Sequence, residues 1–262
     1  MNAKRLITGG TIAGLIAGIA LVVISCATSP SIVAPLEIPG AHYVGSDVCF
    51  QCHTQITRAF DASPHAHLVL ESTNPPGGAG CEACHGPGSK HVETGGAKFI
   101  INPGREPEAC FRCHPTTRGE FELPQHHPVI EGRMSCVQCH DPHGGDIFKA
   151  ADTGLAMARL NENCAQCHRE QTRPMVFEHP AMREGCTTCH DPHGSVNRMF
   201  LKQPDNNLCL RCHGQVQGPG VPPGEFMIGG TPHAALMQMG TCWSAGCHTA
   251  VHGSDVDIRL RY

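Results

Sequence analysis

Two short runs of this chain, Cys136-Val-Gln-Cys139-His140-Asp-Pro-His143-Gly and Cys186-Thr-Thr-Cys189-His190-Asp-Pro-His193-Gly, are almost the same letter for letter, and Cys164-Ala-Gln-Cys167-His168 lies between them. C-x-x-C-H is the attachment pattern of a c-type haem. Its two thiols add to the haem vinyl groups, and the histidine that follows is held where it can ligate the iron. The same pattern recurs at Cys49, Cys52 and His53, at Cys81, Cys84 and His85, at Cys110, Cys113 and His114, and at Cys209, Cys212 and His213. An eighth site, of Cys242, Cys247 and His248, has four residues between its cysteines instead of two. Zinc knuckles would need paired cysteines converging on one tetrahedral ion, and disulfides would account for exported cysteines generally. Neither explains a histidine placed directly after every second cysteine. For the eighth site the competing reading is a local disulfide beside an ordinary histidine.

Composition agrees with a cofactor-filled interior. Of 262 residues, 17 are Cys and 19 His, whereas aromatics make up 5% and there is one Trp. So few large apolar side chains offset backbone entropy poorly by burial alone. Charged residues are 16%, below the roughly 25% of ordinary soluble domains. A net charge of −4 gives no argument for nucleic acid as a partner.

Bis-histidine ligation needs a second histidine for each iron. Eleven histidines lie outside the motifs: His42, His65, His67, His91, His126, His127, His143, His179, His193, His233 and His252. His42 precedes the first motif, and two close pairs, His65/His67 and His126/His127, each have room to serve one iron. Ser-Pro-His65-Ala resembles Thr-Pro-His233-Ala, and aligning residues 110–144 with 164–194 matches His127 to His179 and His143 to His193. The expected distal ligands are therefore His65, His91, His127, His143, His179, His193, His233 and His252. His143 and His193 each follow a motif histidine by three residues, a span of at most ~10 Å. That is too short to reach both faces of one haem, so each is expected to ligate the haem of another motif and to staple neighbouring haems together.

Residues 1–25 read as an export signal. Lys4 and Arg5 precede an apolar run, and Val23-Ile24-Ser25-Cys26 resembles a lipobox with Cys26 as the lipidated residue. Cys26 is also the cysteine left over once eight motifs have taken sixteen. An uncleaved membrane anchor and a plain signal peptide are the competing readings. Residues 26–42 read as a Pro-rich tether, and 43–262 as the octahaem domain. The expected fold class is a multihaem cytochrome c, with little regular secondary structure and with short helices and loops wrapped around a closely packed haem chain.

Gly80-Cys81-Glu-Ala-Cys84-His85-Gly86-Pro87-Gly88-Ser-Lys-His91, the two C-x-x-C-H-D-P-H-G units and Asn207-Leu-Cys209-Leu-Arg-Cys212-His213 resemble the MtrA/DmsE-type multihaem cytochromes over roughly residues 43–252. The octahaem members of porin–cytochrome complexes are the nearer comparison. The resemblance implies an electron carrier on the periplasmic side, associated with the outer membrane. Its implied partners are a porin-like barrel and other multihaem cytochromes. With histidines enough to close every iron, the residues favour an electron carrier over an enzyme. The rival readings are a soluble redox partner of a terminal reductase, a multihaem reductase with one open iron, and an extracellular cytochrome filament.

Overall fold

The computed structural model describes residues 34–67, 80–144, 154–214, 220–225 and 227–262. The export signal and Cys26 lie outside these residues. Residues 35–262 form one compact unit. Part of the expected tether belongs to this unit: the Tyr43 hydroxyl donates to the Leu36 carbonyl at 2.7 Å, and Gly86 packs against Leu36 and Ile38.

The motifs themselves set the rhythm of secondary structure. The backbone N–H of the motif histidine donates to the first cysteine's carbonyl at 2.9–3.0 Å in His53, His114, His140, His168 and His190, closing one helical turn. After the first, third and fifth motifs the helix breaks at the histidine and another begins at once. His53, His114 and His168 are the N-cap residues of Thr54–Phe60, Pro115–Phe121 and Arg169–Thr172, with non-helical dihedrals at each. The second, fourth and sixth motifs run instead into Gly- and Pro-containing loops, where a helix cannot continue. The longest helix near a motif is Gly154–Ala165, which delivers Cys164.

Strands are two residues long. β1 (Phe177–Glu178) pairs antiparallel with β4 (Gly253–Ser254), and β2 (Met227–Ile228) pairs with β3 (Thr231–Pro232). The β1–β4 ladder brings the C-terminal segment back to the sixth motif. An Arg173–Asp255 ion pair at 2.7 Å secures it; together with the Val176 N–H it holds the Asp255 carboxyl below the usual carboxylate range. Among the described residues the buried apolar side chains are Phe60, Phe111, Phe121, Val129, Leu160 and Ala250. Phe111, Phe121 and Val129 form one cluster, with Met134 and Cys136 against it. Short helices, loops and small satellite cores are the expected fold class.

Candidate haem centres

Seven motif histidines each face one histidine from outside the motifs. The pairs are His53–His91, His65–His114, His85–His143, His127–His168, His140–His193, His179–His213 and His190–His252. Their ring centres are 5.9–6.2 Å apart, while the interplanar angles range from 7° to 80°. Direct stacking restricts angle as well as distance. A fixed distance with a free angle is what two rings turning about a shared metal axis give. A metal–imidazole bond of about 2.0–2.1 Å, plus about 1.2 Å from nitrogen to ring centre, doubled, gives about 6.4–6.6 Å, roughly half an ångström above these separations. The donor set therefore fits a six-coordinate haem iron. Among the described residues no three His, Cys, Asp or Glu side chains converge on a point, so no zinc-knuckle arrangement is present there. None of the sixteen motif cysteines is in a disulfide.

Seven of the rings are aimed by their other nitrogen. His85, His91, His127, His179, His190, His233 and His248 donate Nδ1–H to the carbonyls of Ile101, Gly96, Pro192, Val251, Met199, Thr231 and Arg259, at 2.6–3.2 Å. That fixes the tautomer and leaves Nε2 as the lone-pair nitrogen a metal needs. Burial lowers the pKa of His85, His179 and His252, which favours the neutral form that can ligate. His126 is engaged otherwise: its ring bonds the Leu123 carbonyl and Glu131, whose carboxylate raises its pKa. His42 is exposed.

The wide eighth motif closes like the others. His248 N–H donates to the Cys242 carbonyl at 3.0 Å, the same two groups as in the other motifs, with the two extra residues widening the turn they close. Cys242 and Cys247 are both free thiols, so the local disulfide considered for this site is not formed. Cys242 is also seated like its counterpart in the preceding pair. Its N–H donates to Asn206 Oδ1 at 2.8 Å, as that of Cys186 donates to Asn161 Oδ1 at 2.9 Å. Asn161 and Asn206 each stand three residues before an odd-numbered motif. Ser46 holds that position ahead of the first motif and accepts from Cys81 N–H at 3.3 Å. Motif counting overlooked these residues; the shared N-x-x-C of Asn161 and Asn206 is the signal that finds them. Asn161→Ala is expected to cost about 1–2 kcal/mol by orphaning a half-buried N–H, read as a lower melting temperature of the haem-loaded protein.

Successive motifs touch in sequence order. Hydrogen bonds between first cysteines join Cys49 to Cys81, Cys110 to Cys136 and Cys164 to Cys186, and Cys209 lies against Cys242. As thiols, these bonds pull Cys81 down to about 6 and Cys136 and Cys186 to about 7, while their partners are pushed up. Once the sulfurs are thioethers none of this titrates, and what remains is the adjacency. Second cysteines lie near the other junctions: Cys84 is close enough to Cys113, Cys139 to Cys164 and Cys167, and Cys189 to Cys212 for their charges to interact.

Two second cysteines differ from the rest of the expected attachment set. Cys52 and Cys247 belong to the first and eighth motifs. Cys52 is exposed; its N–H donates to the Cys49 carbonyl at 3.3 Å, which keeps it in the turn of its own motif. Cys247 is half-buried, and its Sγ turns back to its own widened loop, toward the Ala245 carbonyl at 3.9 Å. The wide spacing thus leaves Cys247 facing backbone, where the second cysteines of the inner motifs face a neighbouring site. Both remain in the same turn as their motif histidine.

Three loops tie those second junctions. In Asp-Pro-His143-Gly, the Pro142 carbonyl accepts from Ser63 Oγ at 2.8 Å, and Ser63 in turn seats His65. In Asp-Pro-His193-Gly, Pro192 accepts directly from His127 at 2.6 Å. Ala250-Val251-His252-Gly253 does the same one residue later, with Val251 accepting from His179 at 2.9 Å. Each loop thus supplies one histidine and orients another that faces a different motif. The third copy escapes a search for D-P-H-G because it lacks Asp and Pro and is one residue longer.

Paired motifs closed by a histidine, seven of them faced by a second one, define a class: the chain is a multihaem c-type cytochrome that binds haem covalently. Residues 126–173 and 179–218 match the family described as the doubled CXXCH motif. The chain is 27% identical to the multiheme cytochrome MtrA of Shewanella baltica, over 80% of this chain and 79% of that one. It is 29% identical to the C-type polyheme cytochrome OmcB of Geobacter sulfurreducens, over 49% of this chain and 20% of that much longer one. An undecaheme cytochrome from the S-layer of Carboxydothermus ferrireducens aligns over 66% of this chain and 32% of its own, at 20% identity. Its TM-score of 0.16 is too low to transfer any arrangement. The chain is a relative of the MtrA-type multihaem cytochromes.

Proposed function

We propose that this chain is an electron-transfer protein carrying eight bis-His c-type haems in sequence order. Haem iron supplies the one-electron Fe(III)/Fe(II) couple, and the polypeptide aligns, caps and seals the sites. The observation that carries the reading is the set of seven ring pairs with constant separation and free angle. As axial pairs, motifs one to seven take His91, His143, His65, His193, His127, His252 and His179 in turn. His233 is then left for His248, both already aimed through Nδ1. Ligands thus cross to a motif two places away, except that motifs one and eight take theirs from beside the neighbouring motif. Interlocking of this kind holds the sites in line without a large apolar core.

The same reading makes the protein exported and lipidated at Cys26, on the periplasmic side of the outer membrane. It passes electrons to or from other multihaem cytochromes through a porin-like barrel. Support comes from the lipobox, the unused seventeenth cysteine and the similarity to MtrA along most of both chains. Two measurements test it. The intact mass of the mature protein is expected to include eight haems, and a tagged chain expressed in its own host is expected to retain a barrel protein. Seven or fewer haems on the isolated protein would remove the eighth site, and purification without any barrel would leave a soluble redox partner. His252→Ala is expected to open one iron at the sixth motif, so that the reduced variant binds one equivalent of carbon monoxide.

A further inference from the structure

Resting on the axial pairing of His140 with His193, the geometry points to Glu120 as the residue that depresses the reduction potential of the haem at Cys136/Cys139. His193 donates Nδ1–H to Glu120 Oε2 at 2.9 Å, where seven other candidate ligands donate to neutral backbone carbonyls. A carboxylate partner draws the Nδ1 proton toward itself and leaves a more basic, more electron-rich Nε2. Such a ligand stabilises Fe(III) over Fe(II), as does the nearby negative charge. The couple itself is Fe(III) plus one electron to Fe(II), and the proton stays between His193 and Glu120 in both states.

The contact is built rather than incidental. Glu120 sits at the end of the helix Pro115–Phe121, whose Phe121 ring lies 5.3 Å from that of His193. Gly194 is pressed against the Glu120 main chain. Ser195 and Gln125 exchange both backbone hydrogen bonds, at 2.8 and 3.1 Å. Glu120 and His193 therefore cannot drift apart without unzipping this junction. Both side chains are about a third exposed, at 36% and 33%, so solvent screens part of the charge. Glu122, two residues on, pairs with Arg118 at 3.4 Å and carries the same charge beside the same helix.

The consequence for electron flow is a step down in potential at the fourth motif, in the interior of the chain. Potentiometric titration of the haem-loaded Glu120→Gln variant, followed by low-temperature electron paramagnetic resonance, tests this. Glutamine keeps a hydrogen-bond acceptor and removes the charge. One component is expected to become about tenfold easier to reduce at a given ambient potential, which is about 59 mV for one electron, and its ferric g-values are expected to shift. It must be the component altered by His193→Met. Glu120→Asp is expected to stay near the parent, and Glu122→Gln is expected to leave every component in place. The inference is overturned if Glu120→Gln moves no component, or if Glu122→Gln moves the same one equally. Failure of the axial pairing would look different: His193→Met would then leave all low-spin signals of the parent protein unchanged.

Discussion

Gly194→Ala is expected to destabilise the haem-loaded protein by about 3 kcal/mol or more, because what the new methyl meets is backbone. A Cβ on Gly194 would overlap the Glu120 carbonyl oxygen, with the carbonyl carbon at 2.8 Å and Leu123 Cβ at 3.4 Å. No rotamer change relieves that. The loop would have to lift away, carrying His193 off Glu120, Pro192 off His127 and Ser195 off Gln125. Two motifs therefore lose their distal support together. Gly144 holds the equivalent place in the first D-P-H-G loop, yet the atoms nearest to a Cβ there all belong to the Asp141 side chain. Gly144→Ala is expected to be much milder, since a carboxylate can swing aside. Thermal unfolding followed at the haem Soret band compares the two; equal midpoints would show that the close approach at Gly194 has been misjudged.

The second large effect is expected at Glu82, the x residue after Cys81. This carboxylate is 1% exposed and accepts from three backbone N–H groups: Val44 at 3.0 Å, Gly45 at 2.8 Å and Gly88 at 2.7 Å. It thereby binds the segment entering the first motif to the loop leaving the second. Glu82→Ala leaves buried donors unsatisfied and opens a cavity, a loss of about 4 kcal/mol with each orphaned donor costing about 1–3. Glu82→Gln keeps one acceptor oxygen and loses the charge-assisted bonds, so it should fall between Ala and the parent. Chemical denaturation of the three proteins gives the order directly. An alanine variant as stable as the parent would mean that these bonds contribute nothing net.

Much of the site was readable from spacing, because the chemistry of thioether attachment is local. Two cysteines and the following histidine must share a single turn, and seven of the motifs do so with two intervening residues. Spacing alone could not decide whether Cys242 and Cys247 form an eighth. The likeness of this site to the others lies in a backbone bond from His248 to Cys242, which only the folded chain displays. Repeat alignment also separates His127 from His126, since its partner in the repeat, His179, stands alone before Pro180. Which histidine faces which motif was illegible for a physical reason: ligands cross between segments far apart in sequence, and their aim comes from carbonyls such as Ile101 and Met199 that carry no side-chain signature. The short-range argument that His143 cannot serve the haem of His140 did exclude one partner. It could not name His85 as the one it faces.

An electron carrier with no reactive site depends on every iron being capped from both sides by imidazole. Exposing the fully reduced, haem-loaded protein to carbon monoxide asks this most directly. The expected result is an unchanged Soret spectrum, with His252→Ala as the positive control. Uptake of carbon monoxide by the parent protein would contradict the account and recast the chain as a cytochrome with an open, reactive iron.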